Sequence, residues 1–215
     1  MSDTHFLKET FSEVYNKNLW QSEESKSGPG SNLNHPTIKH LSDTILYTLK
    51  NLKKDKIIIA DIPCGDCNFI FNILDRIINE TSIKSITYYG FDIVDELIEK
   101  NKTKIIRNEV NINFEILDIV NNTLSSNENY DVILCKELFI HLSLKDTKKL
   151  IMNINKANFK YCIMGINFDN IGENKDILYS TPGECREISL KLPPFNCNNY
   201  IYQNSGYLLY KNKIN

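Results

Sequence analysis

The sequence predicts an α/β fold in which a mostly parallel sheet carries helices on both faces. Three observations lead there. Apolar runs of strand length, several ending in an acidic residue, alternate with stretches whose apolar residues recur every three or four positions. That β-α-β-α order calls for parallel strands joined by crossover helices. The run Ile57-Ile58-Ile59-Ala60-Asp61 also passes through a tight turn, Ile62-Pro63-Cys64-Gly65-Asp66-Cys67-Asn68, into the helical pattern Phe69, Ile70, Ile73, Leu74 and Ile77. A buried strand, a loop and a helix N-terminus in that order form the junction where α/β proteins hold a nucleotide-like ligand.

The elements follow in order. Residues 1–35 are polar, with a short helix expected around Phe6–Asn18 and then a Ser/Gly loop through Gly28-Pro29-Gly30-Ser31. Ile38, Leu41, Ile45, Leu46 and Leu49 predict an amphipathic helix over about 36–52. Strand 56–61 leads to helix 68–80, strand 85–91 to helix 95–104, and strand 112–117 to a polar loop at 120–129. Strand 131–135 leads to a helix over about 144–156, and strand 160–166 follows. In the tail, Glu187–Leu190 and Tyr207–Lys211 read as two extended pieces that pair antiparallel at the sheet edge. Residues 1–35 are thus a helix with a lid-like loop, and 36–215 a single domain with no internal repeat.

The bulk properties narrow the class. A length of 215 residues suits one domain with a substantial core. A formal charge of −2 and scattered Lys and Arg give no general pull toward nucleic acid or anionic membrane. No apolar run approaches the roughly 18–20 residues that span a bilayer, and the N-terminus has no signal-like apolar stretch. The expectation is a cytoplasmic protein, monomer or homodimer, whose partner is a small molecule. Of the six cysteines, four sit in or beside strand patterns and read as reduced, small core residues.

In an open parallel sheet, ligands bind outside the carboxyl ends of the strands. Asp61, Asp92 and Asp118 end three strands, and the fourth ends in Cys135-Lys136-Glu137 followed by Leu138-Phe139-Ile140-His141-Leu142-Ser143. Buried carboxylates without partners are costly, so three along one rim point to a polar ligand with hydroxyl and amine donors. Asp92 suits both hydroxyls of a ribose, or it caps the next helix. Asp118 suits an adenine amino group with Ile93 and Ile119 on the ring faces, or it caps its loop.

Two rival readings of the Asp61 loop fare worse. A nicotinamide dinucleotide loop needs Gly-x-Gly-x-x-Gly, whereas this one has Gly65 alone and an Asp66 that repels phosphate. A redox Cys64-x-x-Cys67 explains neither Asp92, nor Asp118, nor the 131–143 segment. A zinc set of Cys64, Cys67, Cys185 and Cys197 lacks finger-like spacing in its second pair, and no metal is expected.

These motifs resemble those of class I S-adenosylmethionine-dependent methyltransferases over about residues 20–210. Asp61-Ile-Pro-Cys-Gly-Asp-Cys stands for the family's glycine-rich loop, and Gly90-Phe91-Asp92-Ile93 for its ribose motif. Leu117-Asp118-Ile119 stands for the adenine motif, and Asp131–Ser143 for the fourth-strand motif. More narrowly, the chain is similar to small bacterial methyltransferases found among surface-polysaccharide genes, which also carry a segment like Ser27–Ser31. It departs from them in keeping only Gly65 and in having Lys136-Glu137 where they carry Arg-Asp.

The resemblance implies a Rossmann-like methyltransferase fold with a seven-stranded sheet and S-adenosylmethionine as cofactor. It implies contacts from Asp61, Pro63, Cys64, Gly65, Asp66, Asn68, Asp92, Ile93, Asp118, Ile119, Cys135 and Lys136, and from Gly30 and Ser31 in the lid. His141 follows the fourth strand and suits a general base, with Glu137 the alternative. Each also has a plain structural reading, as a packing residue and as a salt bridge with Lys136. Tyr15, Trp20 and Arg186 are candidates for holding the acceptor. The expected reaction is O-methylation of a sugar or a phosphorylated or nucleotide-linked glycan precursor. The alternatives are an RNA or protein methyltransferase, or a silent cofactor-binding module.

Overall fold

The computed structural model describes residues 3–50, 52–104 and 108–215, with side chains described from residue 6 onward. Five parallel strands form most of one sheet: Lys56–Asp61 (β1), Ser85–Asp92 (β2), Val110–Ile116 (β3), Asn129–Lys136 (β4) and Asn158–Gly165 (β5). Tyr202–Asn204 (β6) and Tyr207–Lys211 (β7) complete it in the order β3-β2-β1-β4-β5-β7-β6. β7 runs antiparallel to both β5 and β6. This is the seven-stranded sheet with an antiparallel C-terminal edge that the sequence predicts.

The strands are apolar on both faces because both faces are covered. Along β1 and β4, Ile57, Ile59, Val132 and Leu134 enter one core, while Ala60, Ile133 and Cys135 enter the other. The period-2 alternation of strand side chains divides them. The helices Pro36–Lys50 (α2) and Ile70–Glu80 (α3) cover the first face. Asp3–Lys17 (α1) and Leu144–Ile154 (α5) cover the second. Asp95–Asn101 (α4) gives Leu97 to one core and Ile98 to the other.

Register aligns the strand ends. Asp61 stands level with Gly90 and Leu134, and Lys136 with Gly165. β2 and β4 flank β1 on opposite sides, so the chain reverses its strand order there. That reversal opens a crevice at the carboxyl edge.

Several boundaries differ from the sequence reading. α4 stops at Asn101, whose buried amide donates to the Gly65 carbonyl at 2.7 Å rather than pointing along a longer helix. α5 stops at Ile154, because Asn155 turns to exchange hydrogen bonds with the backbone of Ile214. Of the expected helix over 36–52, position 51 lies outside the described residues.

The larger correction is in the tail, where β7 pairs with Tyr202–Asn204 and not with Glu187–Leu190. Ser205 and Gly206 both have positive φ, 45° and 88°, which makes the two-residue turn of a tight hairpin. The 187–190 segment instead bonds to side chains, Ser189 N–H to Asn174 and Leu190 N–H to Asn167, each at 2.7 Å. Among the described residues no helix is long and apolar enough to cross a membrane.

Phe139 is fully buried in the short 3-10 turn Phe139–His141 after β4. Phe139→Ala should cost about 3–5 kcal/mol. Urea denaturation of the two proteins should show this as a lower midpoint with an unchanged slope.

Candidate active site

Above β1, β2 and β4, α1 and the segment 20–31 close over the sheet and enclose a cleft of about 830 Å³, counting its mouth. Its floor is the loop after β1. Ile62 N–H donates to Leu134 O at 2.9 Å, Cys64 N–H to Phe91 O at 2.8 Å, and Gly65 N–H to Asp92 Oδ2 at 3.0 Å. The loop is thereby tied to the strands on both sides of β1. Gly65 has φ +54°, and a Cβ there would lie 2.3 Å from Ser27 Oγ, so both backbone and space demand glycine.

Three acidic groups line the cleft. Asp92 is 3% exposed, and its oxygens accept from Gly65 N–H and from Val94 N–H, both at 3.0 Å. Burial lifts its carboxyl from the ordinary 3.8 to about 6, partly offset by these amides. The helix reading of Asp92 is thus replaced by a local turn, because α4 starts only at Asp95 with Val94 before it. Asp118 accepts from Val120 N–H at 3.0 Å and from the side chain of Asn121 at 2.8 Å. Ile93, beside Asp92, and Leu117, Ile119 and Val120, beside Asp118, add apolar lining to the same cleft.

The third acid is Glu137, which has φ +57° and whose N–H bonds to Gly165 O. Its carboxylate meets Lys136 Nζ at 2.5 Å. Lys136 is 7% exposed, also reaches Ser31 Oγ at 3.3 Å, and sits 5.4 Å over the Phe69 ring. Among the described residues, the one ammonium lining the cleft is therefore paired.

His141 is carried by the short turn after β4. Its Nδ1 lies 2.9 Å from the carbonyl oxygen of Glu184. A carbonyl only accepts, so Nδ1 carries the hydrogen and Nε2 is the bare nitrogen of the neutral ring. Burial holds the imidazole below its ordinary 6.5, with Arg186 and Lys136 adding to the shift while the Glu184 carbonyl and Glu137 oppose it.

Of the residues expected at the site, Tyr15, Trp20, Ser31, Pro63, Cys64, Gly65, Asp92, Ile93, Asp118, Ile119, Lys136, Glu137 and His141 line the cleft. Six do not. Asp61 is buried beneath it and accepts from Tyr88 OH at 2.7 Å, its carboxyl pushed up to about 7 by burial. Asp66 faces the 25–27 segment and accepts from Ser25 Oγ, Lys26 N–H and Ser27 Oγ. Asn68 donates to Glu24 and to Ser31 O. Gly30 stands behind the Glu137 carboxylate, 2.7 Å from the place a Cβ would take. Cys135 points into the sheet core with no exposed surface. Arg186 donates to the carbonyls of Lys175, Phe139 and Ile140 and braces the His141 turn.

The sequence reading did not assign to the site Leu7, Phe11, Ser27, Ile62, Phe69, Leu117, Val120, Leu138 and Leu142, which also line the cleft. The signal for the first two was present: Leu7, Phe11, Val14 and Tyr15 recur at three- and four-residue spacing along one face of the helix.

A nucleoside carrying an amino acid fits this cleft, since Asp92 and Asp118 line it together with apolar side chains and, among the described residues, its one ammonium is already paired. The same features disfavour a pyrophosphate. A sequence model of the family described as "Methyltransferase domain" matches residues 53–185, more than half of the chain. No curated protein matches in sequence. Among solved structures, magnesium protoporphyrin IX methyltransferase of Synechocystis PCC 6803 with bound SAM is similar at a TM-score of 0.62 and 10% identity. The match covers 97% of this chain and 96% of that one. Phosphoethanolamine N-methyltransferase 1 of Haemonchus contortus, with phosphoethanolamine and S-adenosylhomocysteine, is similar at 0.52 and 15% identity. Here the match covers 86% of this chain and 38% of that one. At these identities the likeness is one of fold.

Fold and site together define a class I, S-adenosylmethionine-dependent methyltransferase. The chain belongs to the methyltransferase-domain family.

The thiols give a test of the discarded redox reading. Cys64, Cys67, Cys135, Cys162 and Cys197 are buried and only Cys185 is exposed. Burial pushes the thiols of Cys64, Cys135 and Cys162 well up, and that of Cys197 to about 11. Iodoacetamide should add one label per native chain and six after denaturation, read by intact mass. Early labelling of Cys64 or Cys67 would revive the redox reading.

Proposed function

We propose that this chain moves a methyl group from S-adenosylmethionine to a hydroxyl oxygen of a small polar acceptor, a sugar unit of a cell-surface glycan precursor. The observation that carries O-transfer is His141, a neutral imidazole on the cleft wall with Nδ1 committed to a backbone carbonyl and Nε2 bare. When bound, the cofactor supplies an electrophilic methyl on a sulfonium. Asp92 would accept the two ribose hydroxyls and Asp118 the adenine amine, Ile93 and Ile119 would supply apolar contact to the base, and the loop backbone at Pro63–Gly65 would hold the amino-acid end. His141 Nε2 would take the proton of the acceptor hydroxyl as that oxygen becomes the nucleophile, and the roof made by α1 and the segment 20–31 shields both from bulk water.

The paired Lys136 and the engaged Arg186 favour an uncharged sugar over a phosphorylated or nucleotide-linked one. A formal charge of −2 with Lys and Arg scattered along the sequence speaks against RNA.

Two measurements test this reading. Asp92 must be ionised to accept from two hydroxyls, and its carboxyl titrates near 6. Cofactor affinity measured by calorimetry should hold from pH 8 to about 6.5 and fall as the pH drops through 6. Asp92→Ala should weaken binding at pH 7.5 by more than about tenfold; equal binding would remove Asp92 from the ribose. His141→Ala should retain cofactor affinity while slowing turnover by roughly 100-fold or more. Turnover is followed as a one-methyl mass gain on envelope sugars, and an unchanged rate would remove His141 as the base.

A further inference from the structure

Trp20 and Gly183 lie 163 positions apart and meet beside His141. The indole N–H donates to the Gly183 carbonyl at 3.1 Å. Gly183 has φ +79°, and a Cβ there would stand 3.0 Å from that indole nitrogen, so glycine permits the approach. The next carbonyl along, that of Glu184, is the one that meets His141 Nδ1 at 2.9 Å.

The indole also lies on the imidazole, with centroids 4.9 Å apart and planes at 33°. Phe11 meets the same imidazole edge-on at 6.3 Å. Trp20 is fixed in turn, with the Tyr15 ring edge-on at 5.6 Å and Gly28 against its Cβ. Beyond Glu184, Arg186 N–H and its guanidinium both donate to Ile140 O at 3.1 Å. The turn bearing His141 and the segment bearing the Glu184 carbonyl are thus pinned together, and Trp20 closes the clamp from the N-terminal side.

We propose that Trp20 is a positioning residue, holding Gly183–Glu184 against His141 so that the imidazole stays in the Nδ1–H tautomer with Nε2 bare toward the cleft. Its catalytic consequence rests on the reading of His141 as the base. One indole face and the indole N–H are already engaged within the protein. This assigns Trp20 a different task from stacking on the acceptor. It also makes the base dependent on the N-terminal segment, since the clamp exists only while residues 11–28 are seated on the cleft. The charged groups facing the imidazole are Glu137, Lys136 and Arg186, and a change at Trp20 removes none of them; the Glu184 carbonyl is the one contact that depends on the clamp.

The test needs no acceptor. The full ¹⁵N-labelled chain has four histidines, and the ring signals of His141 are assigned as those lost in His141→Gln. Long-range ¹H–¹⁵N spectra should show wild-type His141 as the Nδ1–H tautomer, titrating below the ordinary value of about 6.5. Trp20→Phe keeps a ring against the imidazole but loses the bond to Gly183, and should give a mixture of tautomers. Trp20→Ala should in addition move the titration up toward 6.5. An Nε2–H tautomer in wild type, or an unchanged tautomer in a folded Trp20→Phe protein, overturns the proposal. The Phe variant carries the test if the Ala variant does not fold.

With an acceptor in hand, Trp20→Phe should lower kcat roughly tenfold at constant KM. A raised KM at constant kcat would mean that Trp20 stacks on the acceptor, which also overturns the proposal. Unchanged turnover in His141→Ala would sink the base while leaving the tautomer result standing, so the two failures are distinct.

Discussion

The site hangs on one buried carboxylate. Asp92 ends β2, and its oxygens accept from the amides of Gly65 and Val94. The first bond fixes the loop after β1, and the second turns the chain from β2 toward α4. A buried carboxylate without such partners costs several kcal/mol; with them it becomes the joint between two neighbouring strand ends. The joint is incomplete as an electrostatic solution, because burial still lifts the carboxyl to about 6. That residual cost is what hydroxyl donors from a ligand would relieve.

The second organising contact is Asp66, which the sequence reading had placed toward the ligand. Its oxygens take three donors from Ser25, Lys26 and Ser27, and its N–H is accepted by Ser27 Oγ at 3.0 Å. The family's loop is rich in glycine, whereas this one spends an acidic side chain on fastening an N-terminal strap. Lys8 meets Asp95 at 2.6 Å further along α1, an exposed pair that adds little by itself. Leu7, Phe11 and Tyr15 bury the apolar side of the same helix. The roof of the cleft is therefore held mainly by apolar burial and by the Asp66 bonds, with the His141 clamp at its far end.

Most of the sheet was legible because its signals are local. β1, β4 and β5 carry near-continuous apolar runs, β2 alternates buried with partly exposed residues, and α2, α3 and α5 show a clear helical period. Asp92, Asp118 and His141 could be located from strand ends alone. The errors arose where a neighbour far away in sequence decides. Glu187–Leu190 has the composition of a strand but finds the side chains of Asn167 and Asn174 instead of a backbone ladder. Cys135 sits one residue before the cleft-lining Lys136, and the alternation of β4 turns it into the core. Asp61 looks like its two neighbours on the rim, yet the Tyr88 hydroxyl on β2 draws it below the floor.

The sequence by itself determined the succession of strands and helices along the chain, the acids at the strand ends and the glycine at position 65, because strand period, helix period and turn geometry act over a few residues. The tertiary structure alone decided which of those acids face the cleft, that Asp66 fastens the 25–27 segment, and that Trp20, Glu184 and His141 converge from three distant segments. Each of these depends on pleat direction, register and the approach of chain ends far apart in sequence. No spacing along the chain encodes that kind of proximity.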